Sequence, residues 1–205
     1  MTLLPGLDVS RETFARLKAY EELLLKWTKR INLISRNTVE DAWARHILDS
    51  AQLFPWAQDR PGPWVDFGSG GGMPGLVLAI LAGEFPSSPQ VHLVESDTRK
   101  AAFLSHVCQE LKLSAQVRRE RIEEITSFHA GLITARALAP LHDLLALAEL
   151  FLAADTKLLF LKGAKADSEL TAALAHWHID VEVFESRTDP TGRILRLSNV
   201  RRRNV

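Results

Sequence analysis

A single cysteine in 205 residues, Cys108, is too few for a disulfide framework or for any multi-cysteine zinc or iron–sulfur site. Net charge is missing too. Lys and Arg number 25 and Asp and Glu number 25, so no global field draws the chain to nucleic acid or to an anionic membrane. That excludes a purely electrostatic nucleic-acid binder and leaves room for a local basic face. The start, Met1-Thr2-Leu3-Leu4-Pro5-Gly6, has neither the basic nor the apolar stretch of a signal peptide. The most apolar run, Leu144 to Ala154, is too short to span a bilayer and contains Glu149. No internal repeat and no low-complexity linker is found. The expectation is a soluble, cytoplasmic protein with no membrane attachment, acting as a monomer.

What is present is ordinary in amount and specific in arrangement. Hydrophobic residues make up 46% of the chain, enough for one large core without disulfide or metal staples. Ser10 can cap a helix that begins at Arg11, along which Phe14, Leu17, Leu24, Trp27 and Ile31 recur at helical spacing. A second helix is expected from Thr38 to about Leu53, with Val39, Trp43, Ile47 and Ser50 on one face. Pro55 and Pro61-Gly62-Pro63 end this helical region. From Trp64 short apolar runs alternate with helix-length segments. The runs are Trp64–Phe67, Val91–Glu95, Ala115–Arg118, Gly131–Thr134 and Lys157–Leu161. Helical stretches such as Arg99–Leu111 and Leu141–Leu152 lie between them. Such alternation implies a parallel sheet covered on both faces. The end breaks the pattern: Ile179–Ser186, a turn at Asp189-Pro190-Thr191-Gly192, and Arg193–Val200 read as an antiparallel hairpin. The expected fold is α/β, a doubly wound, Rossmann-like sheet, mostly parallel, with a C-terminal antiparallel hairpin. A helical extension over residues 1–60 precedes this unit, which spans 61–205.

The strongest local signal is Val65-Asp66-Phe67-Gly68-Ser69-Gly70-Gly71-Gly72-Met73-Pro74-Gly75, between a strand and an apolar helix. Glycines are required where backbone turns tightly and a ligand must approach without a Cβ in the way. Two readings compete. Gly70-x-Gly72-x-x-Gly75 matches the dinucleotide fingerprint, with pyrophosphate on a helix N-terminus, which gives a nicotinamide-dependent oxidoreductase. Gly68-x-Gly70-x-Gly72 is the shorter loop that S-adenosylmethionine enzymes place after their first strand. That cofactor carries a sulfonium in place of pyrophosphate, which favours a carboxylate nearby, and Asp66 supplies one. Glu95, at the end of the second strand, can accept both ribose hydroxyls in either reading. The terminal hairpin decides for methyl transfer, because dinucleotide domains normally stay parallel.

At these residues the sequence resembles the ribosomal small subunit methyltransferase G family, also called the glucose-inhibited division protein B family. The resemblance covers nearly the whole chain. It rests on Lys26-Trp27-Thr28-Lys29-Arg30-Ile31-Asn32-Leu33, Arg45-His46-Ile47-Leu48-Asp49-Ser50, the Asp66–Gly75 loop, Thr134-Ala135-Arg136-Ala137 and Leu161-Lys162-Gly163. It implies transfer of a methyl group from S-adenosylmethionine to N7 of one guanosine in 16S rRNA near the decoding site, leaving S-adenosylhomocysteine. It also implies that Gly68, Gly70 and Met73 contact the cofactor, Glu95 holds its ribose, and Ile122 and Glu123 flank its adenine. Arg136 is the further arginine of the site, facing cofactor or target base, and the candidate catalytic group. Two positions depart from the family pattern. Glu95 stands where aspartate is commoner, and Thr134-Ala135 precedes Arg136 where serine often does.

Guanine N7 has an in-plane lone pair and no proton, so its methylation needs alignment and no base. The chain agrees by omission. Its fourth strand lacks the Asn/Asp-Pro-Pro-aromatic element of adenine-N6 enzymes, and one cysteine cannot run the two-cysteine chemistry of carbon-5 pyrimidine methylation. Cys108 reads as core and no metal site is expected. RNA contacts must be local. Lys26, Arg30, Arg45 and His46 in the N-terminal extension and Lys162 at the end of strand five are the candidates, so that the extension faces RNA. His46 has a bland alternative as a packed, hydrogen-bonded residue oriented by Asp49. The modest basic face implies a weak grip on naked RNA. The expected partner is therefore 16S rRNA within the small ribosomal subunit or an assembly intermediate. A methyltransferase-like ribosome-binding factor without turnover is the non-enzymatic alternative.

Overall fold

A computed structural model describes residues 1–85, 87–126 and 128–203. A two-stranded ribbon comes first, β1 (Thr2–Leu4) and β2 (Leu7–Asp8), turned by Gly6. Helix α1 (Arg11–Thr28) follows, its N-terminus capped by the Ser10 side chain, which accepts from the Thr13 amide. Its buried stripe of Leu17, Tyr20 and Leu24 faces the core. Each such leucine contributes about 1.5–3 kcal/mol by leaving water.

The expected helix from Thr38 to Leu53 is not continuous. A 3₁₀ turn at Arg36–Thr38 is separated from a π-helical segment at Trp43–Leu48, which runs into the short α2 (Asp49–Ala51) and α3 (Phe54–Ala57). Competition for carbonyls explains the widening. Ser50 Oγ donates to the His46 carbonyl at 2.7 Å and the Arg136 guanidinium donates to the Arg45 carbonyl at 3.1 Å. Side chains therefore occupy acceptors that an α-helical ladder uses, and the Asp49 amide reaches back to Ala44.

Strands β3 (Trp64–Phe67), β4 (Val91–Val94), β5 (Ala115–Arg118), β6 (Leu132–Arg136), β7 (Lys157–Lys162), β8 (Trp177–Glu185) and β9 (Arg193–Arg202) form one seven-stranded sheet, in the order β5-β4-β3-β6-β7-β9-β8. β3 to β7 are parallel, and β9 lies antiparallel between β7 and β8. The reversal at the end of the chain is thus as expected. Because β8 runs with β7, its turn into β9 falls at the carboxyl end of the parallel strands, and Arg193 pairs with Lys162 there. Strand β6 extends two residues beyond its expected end, so Arg136 is its last residue.

Helices α4 (Gly75–Leu81) and α5 (Thr98–Glu110) cover one face with the N-terminal elements. Leu17, Tyr20, Leu24, Ile47, Leu76, Leu93 and Phe103 share one core there, and Trp27 packs on Phe103 with ring centroids 5.6 Å apart. Helices α6 (Leu141–Ala148) and α7 (Ala166–Leu174) cover the other face around Phe67, Phe151, Phe160 and Trp177. Cys108 is buried on α5. No helix among the described residues is long and apolar enough to cross a membrane.

Candidate active site

The loop after β3 turns on glycines in the left-handed region, with φ of +62° at Gly68, +54° at Gly70 and +96° at Gly72. At Gly72 a Cβ would strike Leu76 and come within 2.8 Å of the Tyr20 hydroxyl. At Gly68 it would meet Leu138 Cδ1 at 2.6 Å. The Glu95 carboxylate reads this loop's shape: Oε2 accepts from the Gly70 amide at 2.9 Å and Oε1 from the Asp97 amide at 2.7 Å. Each oxygen keeps a lone pair for a further donor, such as a ribose hydroxyl.

A cavity of about 290 Å³ opens above these residues. Gly68, Gly70, Glu95, Ile122, Glu123 and Leu138 line it. Five residues expected to hold the cofactor are therefore brought together, from three separate loops. Met73 is not among them, since its side chain turns inward and its sulfur lies 2.8 Å from the Tyr20 hydroxyl. Asp66 is not there either. It is buried beneath the loop, Oδ1 accepting from Thr134 at 2.6 Å while Oδ2 has no partner among the described residues. Burial pushes its carboxyl up to about 6 against the Thr134 hydrogen bond. A sulfonium-facing role for Asp66 is thus replaced by a place in the core between β3 and β6.

A second cavity, about 510 Å³, adjoins the first, and Ala137, Leu138 and Ala139 line both. Ala137 sits at φ +53°, a conformation that non-glycine residues hold only when their surroundings enforce it. Arg136 lies on this second side. Its guanidinium reaches the Arg45 carbonyl, Asp49 Oδ2 at 3.4 Å and His46 Nδ1 at 2.8 Å. Asp49 Oδ1 accepts from Gln52, Ser186 and Thr188, and Arg45 pairs with Asp189 at 2.9 Å. The hairpin turn, the π-helical segment and the end of β6 are knitted into one polar wall.

The expected RNA contacts divide. Lys26 and Arg30 are exposed on and just after α1 and line neither cavity. Arg45 is half-exposed at the rim of the second cavity. His46 is a correction: it is buried with both ring nitrogens engaged, so it offers no free group to RNA, and Asp49 contacts Arg136, not the His46 ring. Lys162 is a second correction. Its side chain is 7% exposed, with the ammonium paired to Glu169 at 2.6 Å and donating to the Ala139 carbonyl, which makes it an internal tie. Residues that sequence reasoning missed include Tyr20, Leu138, Ser186 and Asp189. Tyr20 is the chain's one tyrosine, yet its helical spacing from Leu17 and Leu24 marks it only as core. Its hydroxyl donates to the Gly71 carbonyl at 2.5 Å.

A sheet with this reversal and a glycine-loop cavity at its carboxyl end defines the methyltransferase fold class. The fold matches a methyltransferase from Geobacter sulfurreducens with a TM-score of 0.59 and 13% identity, covering 94% of this chain and 90% of that one. The 16S rRNA methylase RmtB matches with a TM-score of 0.57 and 14% identity over 94% and 76%. The family is closer still. The family model of rRNA small subunit methyltransferase G (GidB) matches residues 13–190. The ribosomal RNA small subunit methyltransferase G of Granulibacter bethesdensis is 48% identical over 98% of this chain and 92% of its own length. That of Rhodospirillum centenum is 50% identical over 96% and 89%. The chain belongs to the rRNA small subunit methyltransferase G family.

Proposed function

We propose that this protein transfers the methyl group of S-adenosylmethionine to N7 of one guanosine of 16S rRNA, near the decoding site. Bound in the smaller cavity, the cofactor supplies an electrophilic sulfonium methyl. Glu95 holds its ribose, Gly68 and Gly70 admit it close to backbone, and Ile122 and Glu123 flank its adenine. The target base enters the larger cavity beside Arg136, across the wall formed by Ala137–Ala139.

One observation carries the choice of N7. Among the described residues, every carboxylate lining the larger cavity is already paired, its one histidine is fully engaged, and Arg193, which only donates, reaches the Pro190 and Gly192 carbonyls. Asp49 pairs with Arg136, Glu169 with Lys162, Asp189 with Arg45, and His46 has neither nitrogen free. Such a site holds no group set aside to take a proton, and N7 has none to give. Catalysis is then alignment of nucleophile, methyl and sulfur. Residues 1–60, with exposed Lys26 and Arg30, form the RNA-facing side, and the substrate is 16S rRNA inside the small subunit or an assembly intermediate.

The test is methyl transfer from radiolabelled S-adenosylmethionine to small subunits lacking the modification, with the label located by cleavage specific for 7-methylguanosine. One labelled guanosine near the decoding site is expected. Label on another atom or RNA overturns the substrate, and cofactor binding without transfer identifies a non-catalytic binding factor.

A further inference from the structure

The hydrogen-bond directions around Arg136 fix more than its position. A guanidinium only donates, so His46 Nδ1, 2.8 Å from Arg136 Nη2, is an acceptor without a proton. The ring proton therefore sits on Nε2, which lies 2.8 Å from Thr38 Oγ1. Thr38 in turn donates to the Ser35 carbonyl at 2.9 Å. Donation runs one way, from Arg136 to His46 to Thr38 to Ser35, and admits a single tautomer of a neutral ring. Burial, with the charges of Arg136 and Arg45 facing the ring, pulls its pKa down to about 3. Of the wall's carboxylates, Asp49 touches the guanidinium and not the ring, Asp189 pairs with Arg45 and Glu169 with Lys162.

Resting on the methyltransferase reading above, we infer that His46 is a positioning residue, which uses its unprotonated Nδ1 to fix the plane of Arg136 against the target nucleotide. The Arg45 carbonyl and Asp49 hold Nη1, and His46 holds one edge of Nη2. Without the last contact the fork can rotate about the bonds to Nη1. The neighbouring arrangement makes this a device of the larger cavity alone, since none of the three residues lines the cofactor cavity.

Three full-length variants separate the possibilities. In His46→Asn the amide oxygen stands near the place of Nδ1 and keeps an acceptor for Arg136. In His46→Gln the polar group stands near Nε2 and keeps only the Thr38 side, and His46→Leu keeps neither. For Leu and Gln, kcat is expected to fall on the order of a hundredfold, the effect of a misplacement of about 1 Å at a reacting group. For Asn it stays within about tenfold, and KM for both substrates stays within about twofold in all three. Equal loss in Asn and Gln, wild-type kcat in Leu, or a rise in KM for the small subunit with kcat unchanged overturns the inference, the last by making His46 a direct RNA contact. Where the Leu variant does not fold, Thr38→Val tests the same chain from its far end and is expected to lower kcat with KM unchanged. ¹⁵N NMR of the His46 ring in the wild-type protein needs no RNA. An unprotonated Nδ1 and a protonated Nε2 are expected between about pH 5 and 8, where an ordinary histidine titrates. A protonated Nδ1 overturns the inference. The expected tautomer in a protein that labels no rRNA leaves the inference standing and places the failure in the functional reading.

Discussion

The two cavities are built by different means. The smaller is shaped by backbone: three glycines at positive φ, a carboxylate clasping two amides, and loops that directly follow β3, β4 and β5. The larger is shaped by side chains. Its wall draws on residues 38–49, 136–140, 162–169 and 186–193, segments far apart in the chain and joined by matched charges. In the function proposed above, the cofactor is thus met by geometry that few residue types can provide, and the target by a network of side chains.

Breaking each cavity alone sharpens that contrast. The largest expected effect is at Arg136. Arg136→Lys keeps the charge and loses the planar fork, so turnover should fall on the order of a hundredfold. Cofactor affinity measured by calorimetry should stay unchanged. Next comes Asp66, which is buried between β3 and β6 and contributes stability in a pH-dependent way. Its folded pKa is raised from 3.8 to about 6, so its contribution is fully present below the lower value and lost as pH rises through the upper one. Asp66→Asn lacks that dependence. Between pH 4 and 7 the unfolding free energy of the variant should gain roughly 2 kcal/mol on the wild type, each unit of pKa shift being worth about 1.36 kcal/mol. Denaturant titrations at the two pH values measure it. Gly68→Val forces a β-branched residue to φ +62° against Leu138. With a strain of about 1–3 kcal/mol, cofactor affinity should weaken at least tenfold or so. The fold and the Arg136 network should persist in its NMR spectrum. The smallest effect is at Tyr20, where Tyr20→Phe removes the donor to Gly71. That hydrogen bond contributes about 1 kcal/mol, which lowers Tm by roughly 2–4 °C in a calorimetric scan.

The same contrast explains what could be read from the sequence. The α/β alternation, the reversed hairpin and the placing of Gly68, Gly70 and Glu95 were legible, because each signal sits within a strand and the loop that follows it, whereas Ile122 and Glu123 came only from the family resemblance. The reading failed where long-range partners overrode local pattern. Periodicity from Val39 to Ser50 spells an α-helix, and Arg136, 91 residues away from the Arg45 carbonyl it binds, joins the local Ser50 bond in widening it. Lys162 at a strand end suggests a ligand contact until Glu169 on α7 claims its charge. Asp66 next to a glycine loop suggests a carboxylate for a sulfonium, and only the pairing of β3 with β6 turns it toward Thr134. Helix α7 and the β1–β2 ribbon were missed, being short and weakly patterned.

The bond from Tyr20 to Gly71 has one more consequence. It joins the element carrying Lys26 to the loop that carries Gly68 and Gly70, so the two surfaces are mechanically in series. A nucleic acid that grips α1 more tightly in one loop geometry biases that geometry, and thermodynamic reciprocity then obliges the nucleoside cofactor to alter nucleic-acid affinity by the same factor. In the function proposed above, that coupling passes in part through a buried phenol.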